Sequence, residues 1–90
     1  MSSYKLELYV VDNMQTSQDA VSIIEAICKE DLQGDCDLEI IDIQKDPERA
    51  EQEQILAIPT LIKRHPFPER RLIGALTVKS RVLAGLGILS

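Results

Sequence analysis

Apolar and polar residues alternate along residues 5–11, which puts Leu6, Leu8 and Val10 on one side of a predicted strand and Glu7 and Tyr9 on the other. Asp12 and Asn13 end that alternation. The period then lengthens. Ala20/Val21, Ile24, Ile27/Cys28 and Leu32 recur at helical spacing, while Gln18, Asp19, Glu25, Lys29 and Glu30 fall mostly elsewhere. This predicts a helix over about 17–31, capped by Ser17. Gln33-Gly34-Asp35 is a helix stop and turn, and residues 38–43 predict a second strand. Asp46-Pro47-Glu48 joins a capping carboxylate, a proline suited to the first turn and an acid suited to the helix dipole. A short, mostly polar helix over roughly 47–54 is expected there.

Pro59 closes that helix, and residues 60–63 predict a third strand. Pro66-Phe67-Pro68-Glu69 is a turn, because prolines cannot pair within a central strand. Residues 70–74 predict a fourth strand, and Thr77 is placed to cap a last helix with Val78, Val82 and Leu86 along one side. The order is βαβ, a short helix, ββ and a final helix. The first crossover makes its strands parallel and the closing hairpin adds an antiparallel pair, which is thioredoxin-like α/β topology in one domain over 1–90. The tail is ambiguous: Gly85 and Gly87 each cost a helix roughly 0.8–1 kcal/mol, and the same apolar stretch also suits a strand.

Ninety residues bury only about 60–65% of their unfolded surface, so modest stability and support from oligomerisation or a partner are expected. A net charge of −5 argues against a nucleic-acid partner, which requires a basic footprint. One Phe, two Tyr and no Trp leave little for base stacking. No apolar run is long enough to span a bilayer, and the first residues lack a signal-peptide core, so a cytoplasmic protein is expected. Cys28 and Cys36, eight positions apart, match neither C-x-x-C nor a zinc pattern. They are expected to be reduced and inert, with a disulfide or redox switch the lesser reading. His65, the one histidine, is read as a loop residue.

Catalytic chemistry finds little material. There is no phosphate-binding glycine loop, no nucleophile elbow, and no cofactor or metal motif. Glu48, Glu51 and Glu53 are expected on a water-exposed helix face that offers nothing to shift a carboxylate pKa. The run Ala57-Ile58-Pro59-Thr60-Leu61 is similar to the proline segment beside the active site of thioredoxin-like domains, yet Asn13-Met14-Gln15-Thr16-Ser17 holds no thiol where that chemistry needs two. Lys63-Arg64 and Arg70-Arg71 fall on adjacent strands of one hairpin. They are read either as charged protection of an edge strand or as a docking patch for an acidic surface.

The ordered set of segments resembles the KaiB family of circadian clock proteins from about residue 4 to 88. It comprises Leu6–Val10, Ile40–Ile43 with Lys45-Asp46-Pro47, Gln54–Leu61, Arg70–Leu76 and Val82–Leu86. The resemblance implies a non-enzymatic protein that binds the ATPase KaiC, and through it helps sequester KaiA or displace the SasA kinase. It also implies a C-terminal half able to adopt two folds. One is a monomeric thioredoxin-like form that binds KaiC. The other is a ground state of βαββααβ order, which assembles as a homo-oligomer, a dimer or tetramer. Tyr9, Pro59, Lys63, Arg70 and Arg71 are the candidate partner-binding residues, and Gly85 and Gly87 mark the fold-switch region. Asp19, Glu39 and Gln54 stand where clock members carry bases, and Ala75 and Gly87 where acids are usual, which alters charge on the expected interface. The alternatives are a diverged thioredoxin-like redox protein and a SasA-type sensor domain.

Overall fold

In the computed structural model, residues 3–74 and 76–88 are described. The chain runs β1 (Tyr4–Val10), α1 (Gln15–Ala26) with a π-helical extension (Ile27–Asp31), β2 (Cys36–Asp42), α2 (Pro47–Gln52), β3 (Thr60–His65), β4 (Arg70–Ile73) and α3 (Lys79–Leu86). The strands form one sheet in the order β2-β1-β3-β4, with β1 and β2 parallel and the other neighbours antiparallel. This is the expected βαβ-α-ββα arrangement. The ambiguous tail is helical, and Gly87 ends α3 in the left-handed conformation at φ 77°. A glycine adopts it without the Cβ clash any other residue meets. Ala75 lies outside the described residues.

The alternation in β1 divides the molecule. Leu6, Leu8 and Val10 face α1 and α3 and join Ala20, Ile24, Ile27, Leu61, Val82 and Leu86 in the main apolar core. The opposite face carries a smaller cluster of Tyr9, Ile41 and Ile62 beneath α2. Three local expectations are corrected. Ser17 does not cap α1, which starts at Gln15; its buried hydroxyl accepts from the Val11 amide at 3.1 Å and ties β1 to the helix. Thr77 does not cap α3, whose N-cap is Val78 with no side-chain bond. His65 ends β3 and meets Phe67 edge-on at 5.2 Å. The cap at Asp46 stands, accepting from the Arg49 amide at 3.3 Å.

The candidate docking surface and the charges beneath it

Strand alternation splits the Lys63, Arg64, Arg70 and Arg71 group. Arg71 pairs with Ile62 and Arg70 with Lys63, so Arg64 and Arg71 share the α2 face while Lys63 and Arg70 share the α3 face. One cationic patch is therefore not present; this corrects the expectation drawn from the hairpin. The signal was available, since a period of two groups Lys63 with Leu61 and Arg64 with Ile62.

On the α2 face Arg49, Arg64 and Arg71 are engaged internally. Glu7, 5% exposed, accepts from the Tyr9 hydroxyl, Arg49 and Arg64, each at 3.0 Å. Arg49 also forks onto Glu39, with one bond of 2.7 Å, and Arg64 bonds Glu69 at 3.0 Å and Glu53. Arg71 donates to the Glu53 carbonyl at 2.7 Å. Glu53 is thus an ion-pair partner and not part of a free acidic face. The hydrogen bond from Arg49 holds the Glu39 carboxyl below its usual range, and the bond to Glu39 raises Arg49. Burial opposes the charge on Arg64, but its bonds to Glu53, Glu69 and Glu7 outweigh that and raise its pKa. Burial, then the bond to Glu7, raises Tyr9. Linking residues 7, 49 and 64 required tertiary structure; nothing local in the sequence signals it.

Tyr9 is fully enclosed in the smaller apolar cluster, with its hydroxyl donating to Glu7. Lys63 is 4% exposed, and its ammonium donates to the Leu86 carbonyl at 3.1 Å, satisfying an orphan acceptor at the end of α3. Desolvation, then the nearby Arg70, lowers its pKa. Pro59 is buried immediately before β3, and its carbonyl accepts from the Gly74 amide at 3.4 Å. Arg70 is exposed and makes no ion pair among the described residues. Gly85 lies where α3 crosses β4; a Cβ there would overlap the Leu72 side chain. Asp19 bonds Gln15, Glu39 is held by Arg49, and Gln54 turns the chain at φ 55°. Beside Gln54, Leu56 is 95% exposed, with Phe67 and Ile73 the other strongly exposed apolar side chains.

Cys28 and Cys36 form a disulfide with Cα atoms 5.4 Å apart, which corrects the inert-thiol reading. Cys36 lies opposite Tyr4 at the start of β1, whereas Thr60, next to Pro59, lies opposite Tyr9 near its end. At ~3.3 Å per residue the two ends are about 16 Å apart along the strand. The disulfide therefore stands at the far end of the sheet from the proline segment. Among the described residues there is no acidic, histidine or cysteine group able to hold a metal, and no helix long and apolar enough to cross a membrane.

A family model described as the KaiB domain matches residues 7–88. The circadian clock protein KaiB3 of Synechocystis sp. is 44% identical over 88 residues, covering 98% of this chain and 86% of that protein. The circadian clock oscillator protein KaiB of Synechococcus elongatus is 42% identical over 97% of this chain and 85% of its own length. In three dimensions the chain is similar to the N-terminal domain of Synechococcus elongatus SasA, with a TM-score of 0.72 and 23% identity over 97% of this chain and 86% of that one. It is similar also to thioredoxin 1 of Thermosipho africanus, at a TM-score of 0.76 and 24% identity over 92% and 90% of the two chains. These two likenesses establish the thioredoxin-like fold.

Proposed function

The chain belongs to the KaiB family of circadian clock proteins, and from that membership we propose a cytoplasmic regulatory protein that binds a KaiC-type ATPase without catalysis of its own. The family match over residues 7–88 carries this reading. The thioredoxin-like arrangement of the C-terminal half supports it, because that is the form the resemblance ties to binding. Of the candidate cations, Arg70 is exposed and without an ion pair among the described residues and would meet an acidic surface, while Pro59, Lys63 and Arg71 hold the β3–β4 hairpin and α3 that present it. Through that ATPase, a KaiA-like protein is sequestered or a SasA-like kinase displaced. Glu39, where the resemblance leads one to expect a base, is held by Arg49, which also bonds Glu7.

Co-elution and pull-down with the KaiC homologue of the same genome, in ATP and in ADP, test the reading. A complex that weakens in Arg70→Glu is expected, and the absence of a complex in every nucleotide state overturns it. Insulin reduction checks the non-catalytic part. Wild type and the Cys28→Ser, Cys36→Ser double variant are expected to be equally inactive.

A further inference from the structure

The first helix ends with a change of pitch. Over Ile27–Asp31 the backbone widens to a π turn, with the Leu32 amide bonding the Ile27 carbonyl at 2.9 Å. Such single π turns recur at functional positions. Here the turn delivers Cys28 to Cys36 at the first residue of β2 and closes a short ring through Lys29–Asp35. The ring is wired to both neighbours. The Asp35 carboxylate accepts from the Ser3 amide at 2.8 Å, which lowers its pKa, and the Asp35 carbonyl accepts from Tyr4 at 3.4 Å. On the other side, Lys79 at the first turn of α3 reaches Asp31 at 2.9 Å and Glu30 at 3.9 Å.

We propose that Cys28–Cys36 is a reversible thiol–disulfide modification site, served by a low-molecular-weight thiol and its disulfide, whose oxidation stiffens the 29–35 ring and, through Asp31 and Lys79, the start of α3. The two sulfurs differ in access. Cys28 is 9% exposed within the core, and Cys36 is only partly buried. An incoming thiolate attacks the Cys36 sulfur, a mixed disulfide forms there, and Cys28 leaves as a thiolate. A second thiolate then attacks the sulfur of the incoming molecule, so Cys36 leaves reduced and the small molecule departs as its own disulfide. Both protein thiolates take up protons, and the electron pair has passed from two thiols to the protein disulfide. Oxidation is the reverse sequence. In a reducing compartment, disulfides of this kind are transient sensors in preference to permanent braces. The proposal does not depend on an ATPase partner.

Equilibrating the full chain in mixtures of reduced and oxidised glutathione, followed by maleimide trapping and mass measurement, tests the chemistry. A single reversible step that converts both thiols together is expected, and Cys36→Ser removes it. A pair that never oxidises, or a disulfide that native protein never yields to glutathione, overturns the proposal. Closing so short a ring changes the folded-to-unfolded ratio by about 50-fold in the chain-entropy picture, which urea titration of the two states reads directly. Hydrogen exchange then follows the transmission. Reduction is expected to speed exchange in residues 29–35 and in the first turn of α3, and Lys79→Ala retains the first response while losing the second. Equal exchange of α3 in the two redox states of the wild type overturns the link to the helix.

Discussion

Glu7 receives three donors on a strand where its neighbours Leu6 and Leu8 are fully buried in hydrocarbon. Removing it leaves Arg49, Arg64 and the Tyr9 hydroxyl short of an acceptor inside the α2 face. Glu7→Ala is therefore expected to lose about 3 kcal/mol in urea unfolding, the typical loss when one side of a buried pair is deleted. Lys63 shows the opposite economy: burial disfavours its charge and holds the folded pKa below the ordinary lysine value of 10.5. The unfolded chain then binds the extra proton between the two pKa values, so Lys63 adds stability as pH rises through that window toward about 10.5. Lys63→Met is expected to abolish this alkaline gain, as seen in the difference between wild-type and variant urea midpoints measured from neutral pH upward. Neither role is visible in a residue list, because an arginine or lysine reads as surface until strand alternation assigns it a face.

At the scale of elements, the signals that proved legible were those with a local cause. Alternation in β1 predicted its two faces, Asp46-Pro47 predicted the start of α2, and the prolines after His65 predicted the β3–β4 turn. The start of α1 differs from the cap that Ser17 suggests, because its hydroxyl serves the Val11 amide instead of its own helix, a choice made by tertiary packing. The tail carries no deciding local signal, because two glycines and an apolar run are nearly neutral between helix and strand. What decides it is long-range: Leu86 docks in the core and Lys63 holds its carbonyl. The helix ends are correspondingly sensitive. Asp46→Ala is expected to lose about 1 kcal/mol from the cap of α2. Gly87→Ala is expected to lose a similar amount, about 1 kcal/mol, from the left-handed end of α3. Thermal unfolding measures both, and faster amide exchange confined to α3 distinguishes the second.

For the whole molecule, apolar burial holds both faces of the sheet, the larger core against α1 and α3, and ion pairing adds to the smaller cluster on the α2 face. Acid separates them. The hydrogen bond from Arg49 holds the folded pKa of Glu39 below the ordinary glutamate value of 4.5, so its contribution is complete above that value and is lost as pH falls through the folded pKa. Glu39 is about half exposed, which makes its share small and sensitive to salt. Wild type is expected to lose stability more steeply than Glu39→Gln on acidification below about pH 4.5, with the difference shrinking in 1 M NaCl, where the screening length is ~3 Å. Urea midpoints across that pH range provide the check.

The Glu39–Arg49 fork also bears on descent. An apolar core drifts one residue at a time, since volume-conserving exchanges cost little. A charge lattice cannot, because a lone reversal sets like charges side by side. A lineage that carries a base at the position of Glu39 is therefore expected to lack the arginine at the position of Arg49. The two sites should have changed hands together, leaving a paired signature that an alignment of homologues will display or deny.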